Sequence, residues 1–274
     1  MKVHHLNCGT MHPIGGKLVD GRPGLLRRSH LVCHCLLIET GDGLVLVDTG
    51  FGRQAVENPS RWLGRNFVTF TGPQPTIEDS AAAQITALGL SPEDVRHIVP
   101  THLDIDHAGG LADFPNALVH VRAEEHRVAT APKHPRERTR FRGAQFAHNP
   151  QWSIYDESGE SWFGFEAVRE LKGLPPEILL VPLAGHTMGH AGVAVDTGDG
   201  WLLHAGDAYF FHGQLDPVKP HCPPGLELFQ NLMQTKKEPR VANVRRLREL
   251  ARNHGDEVDI FTSHDPVDLA KFSS

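Results

Sequence analysis

Four side chains able to bind a metal ion fall within six positions, at His102, Asp104, Asp106 and His107, and Ala108-Gly109-Gly110 follows them. Imidazole and carboxylate groups crowded in this way would repel or go unsatisfied in an ordinary core, whereas a divalent cation neutralises and orients them together. The plain alternative is a solvated polar loop. The preceding residues argue against it: Val95-Arg96-His97-Ile98-Val99-Pro100 reads as a short buried strand that Pro100-Thr101 stops, so the cluster is expected at a strand's C-terminal end. Extended backbone there would project positions 102, 104 and 106 to one side and turn His107 away, toward a second metal. Gly109 and Gly110 are read as permitting a tight bend.

Four further apolar runs each end on polar residues. Leu44 to Val47 precedes Asp48-Thr49-Gly50, and Leu179 to Leu183 precedes Gly185-His186-Thr187-Met188-Gly189-His190. Trp201 to His204 precedes Ala205-Gly206-Asp207, and Val258 to Phe261 precedes Thr262-Ser263-His264-Asp265. In this order and spacing the motifs resemble the metallo-β-lactamase superfamily from about Leu36 to Asp265. The resemblance implies an α/β (α+β) fold, a four-layer αββα sandwich with a metal centre at one end. It implies His102, Asp104 and His186 around one metal, Asp106, His107 and His264 around another, and Asp207 as the bridge. Asp48 would stand behind the ligands and hold their loop, and His190 would pack structurally.

The family ordinarily has His-x-His-x-Asp-His, and here the second His is Asp104. Two divalent ions bring four positive charges and Asp104, Asp106 and Asp207 return three, so a bridging hydroxide would make the cluster formally neutral. Zinc is the expected metal, but harder, more anionic ligation moves preference toward iron or manganese. Otherwise Asp104 is too short to reach, which leaves the first metal undercoordinated or absent. Flavodiiron oxygen reductases, a related branch, carry a Glu at this position and hold two irons.

The chemistry implied is metal-assisted hydrolysis of an ester, lactone or thioester in a small molecule, resembling the lactonase and glyoxalase II branches. Asp106 would orient the nucleophile and pass a proton to the leaving group. Tyr209, two positions after Asp207, is a candidate to point its hydroxyl at a bound carbonyl. The alternative is a diiron redox enzyme acting with a separate electron donor, and a third reading is a degenerate metal-binding protein. Residues 51–75 and 124–162 read as insertions that shape the substrate pocket, with Trp62, Phe67, Phe70, Phe141 and Phe146 as apolar lining and several arginines, Arg140 among them, as a charged handle. Taken singly, each arginine is expected to be solvated.

The chain has 274 residues, a formal net charge of −6 and a pI near 6.3. That length suits one domain with a large core, and the acidic balance offers no basic patch for nucleic acid. No run suits a signal peptide or a membrane span, so a cytoplasmic location is expected, with a homodimer compatible. Cys8, Cys33, Cys35 and Cys222 are expected as reduced thiols, with Cys33 and Cys35 as buried strand residues. Strands are predicted at Cys33 to Thr40, Leu44 to Asp48, Val95 to Pro100, Ala117 to Arg122, Ile178 to Leu183, Gly192 to Val195, Trp201 to His204 and Val258 to Thr262. Hairpins are marked by Asp42-Gly43 and Gly198-Asp199-Gly200. Helices are predicted over Thr76 to Leu88, with Thr76 as cap, and over Glu238 to Asn253.

Overall fold

Alternation with period two puts apolar residues on both faces of the central strands, and such strands need cover on both sides. A computed structural model, which describes residues 1–156 and 159–272, shows how that cover is supplied. Among these residues the first sheet contains β1 (Lys2–Met11), β2 (Leu31–Thr40), β3 (Gly43–Val47), β4 (Val95–Val99), β5 (Leu118–Arg122) and β6 (Gln151–Tyr155), in that spatial order. The second contains β7 (Glu160–Trp162), β8 (Phe165–Glu170), β9 (Ile178–Pro182), β10 (Ala191–Asp196), β11 (Trp201–His204) and β12 (Val258–Phe261), also in sequential order across the sheet.

The alternation sorts the core into layers. Leu36, Ile38, Val45, Val47 and Val99 of the first sheet share one cluster with Ile178, Leu180, Val193, Val195 and Phe261 of the second. Their neighbours Cys35, Leu37, Leu44, Leu46 and Ile98 face the other way and pack with Ala81, Ala82 and Ile85 of the helix Ala81–Ala87. On the far side of the second sheet, Val181, Ala194 and Leu203 pack with Val244, Leu247 and Leu250 of the helix Lys237–His254. The result is an αββα sandwich whose inner layer is the sheet-to-sheet contact.

Most predicted strands appear within a residue or two of their expected bounds. The helix near Thr76 starts later than expected: Ser80 caps it by accepting from Ala83 N, while Thr76 Oγ1 accepts from Asp79 N in a preceding turn. Four strands were not foreseen. β1 reads as polar because His4, His5 and Asn7 interrupt it, yet its paired register with β2 places His5 Nδ1 2.8 Å from His34 Nε2. β6 and β7 lie within residues 124–162, so the stretch expected as a pocket insertion supplies one edge strand to each sheet. β8 also went unread.

Residues 51–75 form three short helices, Gln54–Glu57, Pro59–Trp62 and Arg65–Thr71. No helix among the described residues is long and apolar enough to cross a membrane. The four cysteines are free, and Cys8, Cys33 and Cys35 are buried.

Burial keeps several histidines of the first sheet neutral, among them the buried His120 and the half-buried His5. His120 lies 2.9 Å from His97 through its Nε2 and 2.7 Å from the Tyr155 hydroxyl through its Nδ1, and burial pushes it down to about 3. His5 is lowered to about 4, first by burial and then by His204 and His4. Between about pH 6.5 and its folded value each ring gains a proton on unfolding, so stability falls as pH drops through that window. Urea denaturation at about pH 7 and about pH 5 is expected to show this loss, and His120→Asn to reduce it by on the order of 1–2 kcal/mol. An equal loss in the variant would place the proton uptake elsewhere.

Candidate metal centre

β3 and β4 run parallel, as do β11 and β12, and β9 shares the direction of β11 through two antiparallel pairings with β10. Their C-terminal ends therefore reach one edge of the sandwich. The loops that leave them carry Asp48, the His102 to His107 cluster, His186, Asp207 and His264, all of which the fold brings together.

The local backbone divides the cluster. Asp104 is extended and precedes a single helical turn, Ile105–Ala108. The expectation that 102, 104 and 106 share one side is thereby corrected, because extended alternation stops at residue 104. His102, His186 and Asp207 form one compact set of donor atoms, and Asp106, His107 and His264 form another. Asp207 faces both: Oδ2 lies 3.3 Å from His186 Nε2 and 3.8 Å from His102 Nε2, while Oδ1 lies 3.4 Å from His107 Nε2 and 3.2 Å from His264 Nε2.

The tautomers follow from the hydrogen bonds behind the rings. His107 Nδ1 donates to Asp48 Oδ2 at 2.8 Å, and Asp48 also accepts from the Thr101 amide and hydroxyl at 2.7 and 3.0 Å. Because the Thr101 hydroxyl proton is used in this way, its oxygen accepts from His102 Nδ1 at 3.0 Å. His264 Nδ1 donates to the Val32 carbonyl at 2.7 Å. Each Nε2 is then left with a lone pair pointing at carboxylate oxygen. His107 Nε2 and Asp207 Oδ1 are buried without a hydrogen-bond partner. Lone pairs converging on a buried carboxylate need a cation, so Asp106, His107, His264 and Asp207 fit a divalent metal well.

Electrostatics agrees. Burial alone would lower His107, yet Asp207, Asp48 and Asp106 hold it well above the usual imidazole range, and Asp207 and Asp106 raise His264 in the same way. A field that favours a proton there also favours a metal ion. Asp207 is held well below the usual carboxylate range against its burial, by His264, His107 and His186. Asp106 is raised, chiefly by burial. His102 is lowered to about 4 by burial and by His107.

Asp104 has a partner that the sequence did not announce. Arg140, at the end of the helix Pro135–Arg140, grips it with Nε on Oδ1 and Nη2 on Oδ2, both at 2.6 Å. Against burial, the guanidinium holds Asp104 well below its usual range. The charge ledger expected for the cluster is corrected, because Arg140 cancels the extra carboxylate that argued for harder metals. The expectation of a solvated arginine is corrected too: the Arg140 side chain is 10% exposed.

Other candidates fall elsewhere. Tyr209 is turned into the core, its hydroxyl 3.4 Å from Asp268 Oδ2, and does not reach the metal set. Phe210 comes to the ligands instead, stacked on His264 at 5.2 Å between ring centroids. Trp62 is buried and donates from Nε1 to the carbonyls of Phe51 and Gly109, and Phe67 packs in the same cluster. These two brace the ligand loop from behind. Phe141 is buried in the first sheet's outer core, Phe146 packs on that core, and Phe70 is exposed, so the five aromatics do not share one wall.

The glycines after the cluster serve close approach rather than a bend. A Cβ on Gly109 would lie 2.4 Å from the Ile105 carbonyl and 2.6 Å from that of Phe51. His190 positions the bridge: Nδ1 donates to Leu183 O at 3.0 Å and Nε2 accepts from Asp207 N at 2.9 Å. Glu125 was also missed by sequence reasoning. It accepts from Leu103 N at 2.9 Å, and burial pushes it up to about 7. Nothing in its polar surroundings, Ala123 to His126, signals this role.

A family model described as the metallo-beta-lactamase superfamily matches residues 29–251. The chain is 43% identical to a probable metallo-hydrolase of Mycobacterium tuberculosis over 97% of this chain and 81% of the relative. It is 30% identical to an N-acyl homoserine lactonase of a Bacillus species over 60% of this chain and 58% of the relative. Among solved structures, an N-acyl homoserine lactone hydrolase with N-hexanoyl-L-homoserine at its catalytic metal centre is similar at a TM-score of 0.71 and 24% identity. That likeness covers 98% of this chain and 95% of the other. The dizinc quorum-quenching lactonase AidC is similar at 0.64 and 20%, over 96% and 87% of the two chains.

Because Asp48 fixes the His107 tautomer, Asp48→Ala is expected to weaken zinc binding about 10- to 100-fold. Competition against a chromogenic chelator measures this. Asp207→Ala is expected to lose at least one metal equivalent by elemental analysis, and full metal content would remove Asp207 from the ligand set.

Proposed function

This chain belongs to the metallo-β-lactamase superfamily, and from that premise we propose that it hydrolyses an ester, lactone or thioester bond in a small molecule. It is a metal-dependent hydrolase; the bond type is the finer reading. One observation carries it: the Asp207 carboxylate divides between two donor sets, with His107 Nε2 and Asp207 Oδ1 buried and unpartnered. A divalent metal, when bound, supplies Lewis acidity toward a carbonyl oxygen and acidifies water.

The chain's own groups supply the rest. Asp106, His107, His264 and Asp207 would hold the cation, and Asp48, Thr101 and the Val32 carbonyl keep the imidazoles in the tautomer suited to it. Asp106 is the most exposed carboxylate of the cluster, at 12% of its side chain, and its Oδ2 lies 3.5 Å from His264 Nε2. With its proton affinity raised by burial, it is the group suited to accept a proton and return it to the leaving oxygen or sulfur. Phe210 is buried beside the ligands, its ring centroid 5.2 Å from that of His264 and 5.8 Å from that of His186.

A lactone is the favoured substrate class among the three, supported by the likeness to N-acyl homoserine lactonases. No observation favours the diiron redox alternative, since the carboxylate that suggested it, Asp104, is engaged by Arg140. The test is turnover on a panel of N-acyl homoserine lactones, thioesters and aryl esters, before and after chelation and with zinc restored. Lactone turnover that chelation abolishes and zinc restores is expected, with Asp106→Asn lowering kcat about 100-fold or more. Turnover indifferent to chelation would overturn the metal-dependent reading, and iron content with no hydrolysis would revive the redox one.

A further inference from the structure

Arg140 is built into the metal centre rather than resting against it. A guanidinium has five N–H donors. All five are matched here: Nε on Asp104 Oδ1, Nη2 on Asp104 Oδ2 and on His186 Nε2 at 2.6 Å, and Nη1 on the carbonyls of His186 and Met233 at 3.2 and 2.8 Å. The helix that carries it is fastened by a second arginine, since Arg136 donates to the carbonyls of Leu232 and Gln234. On the other flank, Phe141 is buried in the core. The placement is thus held from three directions.

The contact with His186 has a chemical consequence. Its Nε2 carries one lone pair, which either accepts from Arg140 or binds a metal. A divalent ion in the set His102, His186 and Asp207 must therefore take that lone pair from Arg140 while standing beside a fixed positive charge. Its natural counter-charge, Asp104, is already occupied on both oxygens. The other set meets no such competitor: Asp106, His107 and His264 make no hydrogen bond or ion pair with a lysine or arginine among the described residues.

We propose that Arg140, held by Asp104, takes the place of a metal in the first donor set, so that the native chain retains one divalent ion, at Asp106, His107, His264 and Asp207. The departure from His at residue 104 then has a reason: a carboxylate, unlike an imidazole, binds both edges of a guanidinium. The proposal rests on the reading of this cluster as a metal centre and assigns its stoichiometry.

The experiment is elemental analysis of the whole chain after loading with excess zinc and gel filtration, for the native protein, Arg140→Met and the double variant Asp104→His/Arg140→Met. The double variant removes both charges together, so no buried carboxylate is left unpaired to compromise folding; circular dichroism checks that it folds. One equivalent in the native protein and two in the variants is expected. Two equivalents in the native protein would overturn the proposal while leaving the metal-dependent hydrolase intact. One equivalent in the folded double variant would also overturn it, because the first set would then be closed for a reason other than Arg140. Native protein that retains no zinc would defeat both this proposal and the reading beneath it.

Discussion

The buried Asp207 carboxylate faces four imidazole Nε2 atoms from loops of both sheets, at 3.2 to 3.8 Å. A carboxylate removed from water is tolerable only with compensating charge and hydrogen bonds, and much of this edge of the sandwich answers that demand. His190 fixes the Asp207 amide, and Gly206 lets it approach: a Cβ there would meet His190 Nε2 at 2.6 Å. The sheet-to-sheet core formed by Leu36, Val47, Val99, Leu180, Val193 and Phe261 sets the distance between the loops that contribute the imidazoles. The metal centre is therefore as much a product of sheet packing as of any motif.

Charge within the cluster is arranged asymmetrically. On the His107 side, the groups behind the ring are acceptors, which turn its lone pair inward and leave a cation to be supplied from outside. On the His186 side the protein brings a cation of its own. Arg140 is anchored to backbone carbonyls as well as to Asp104, so its position does not depend on the carboxylate alone. Two halves related by one shared carboxylate thus have opposite electrostatic requirements. That difference also separates this chain from the two-metal ledger its ligand motif suggests.

The strands that bear the ligands were legible because each is a short apolar run ending abruptly in polar residues, and strand period and turn chemistry are local properties. β1 was not legible: its histidines look like surface residues until β2 lies beside them. The Tyr209 reading failed on direction. A residue two places after Asp207 was expected to share its outlook, but the turn after β11 sends Tyr209 to Asp268 and brings Phe210 to the ligands. The aromatics of residues 51–75 and 124–162 were recognised as apolar but not as scattered among a loop brace, a core and the surface.

Residue type and spacing alone determined which side chains stand at the strand ends as donors, and hence the family and its kind of chemistry, because both follow from contacts within a few positions of each other. Only the tertiary structure decided how the donors divide, which nitrogen of each ring faces inward, and what Asp104 is for. Those outcomes depend on partners far apart in the chain, such as Asp48 with His107, His264 with Val32 and Arg140 with Asp104 and His186. Such partners meet only once two sheets have packed and Arg140, 36 residues beyond Asp104, lies against the first donor set.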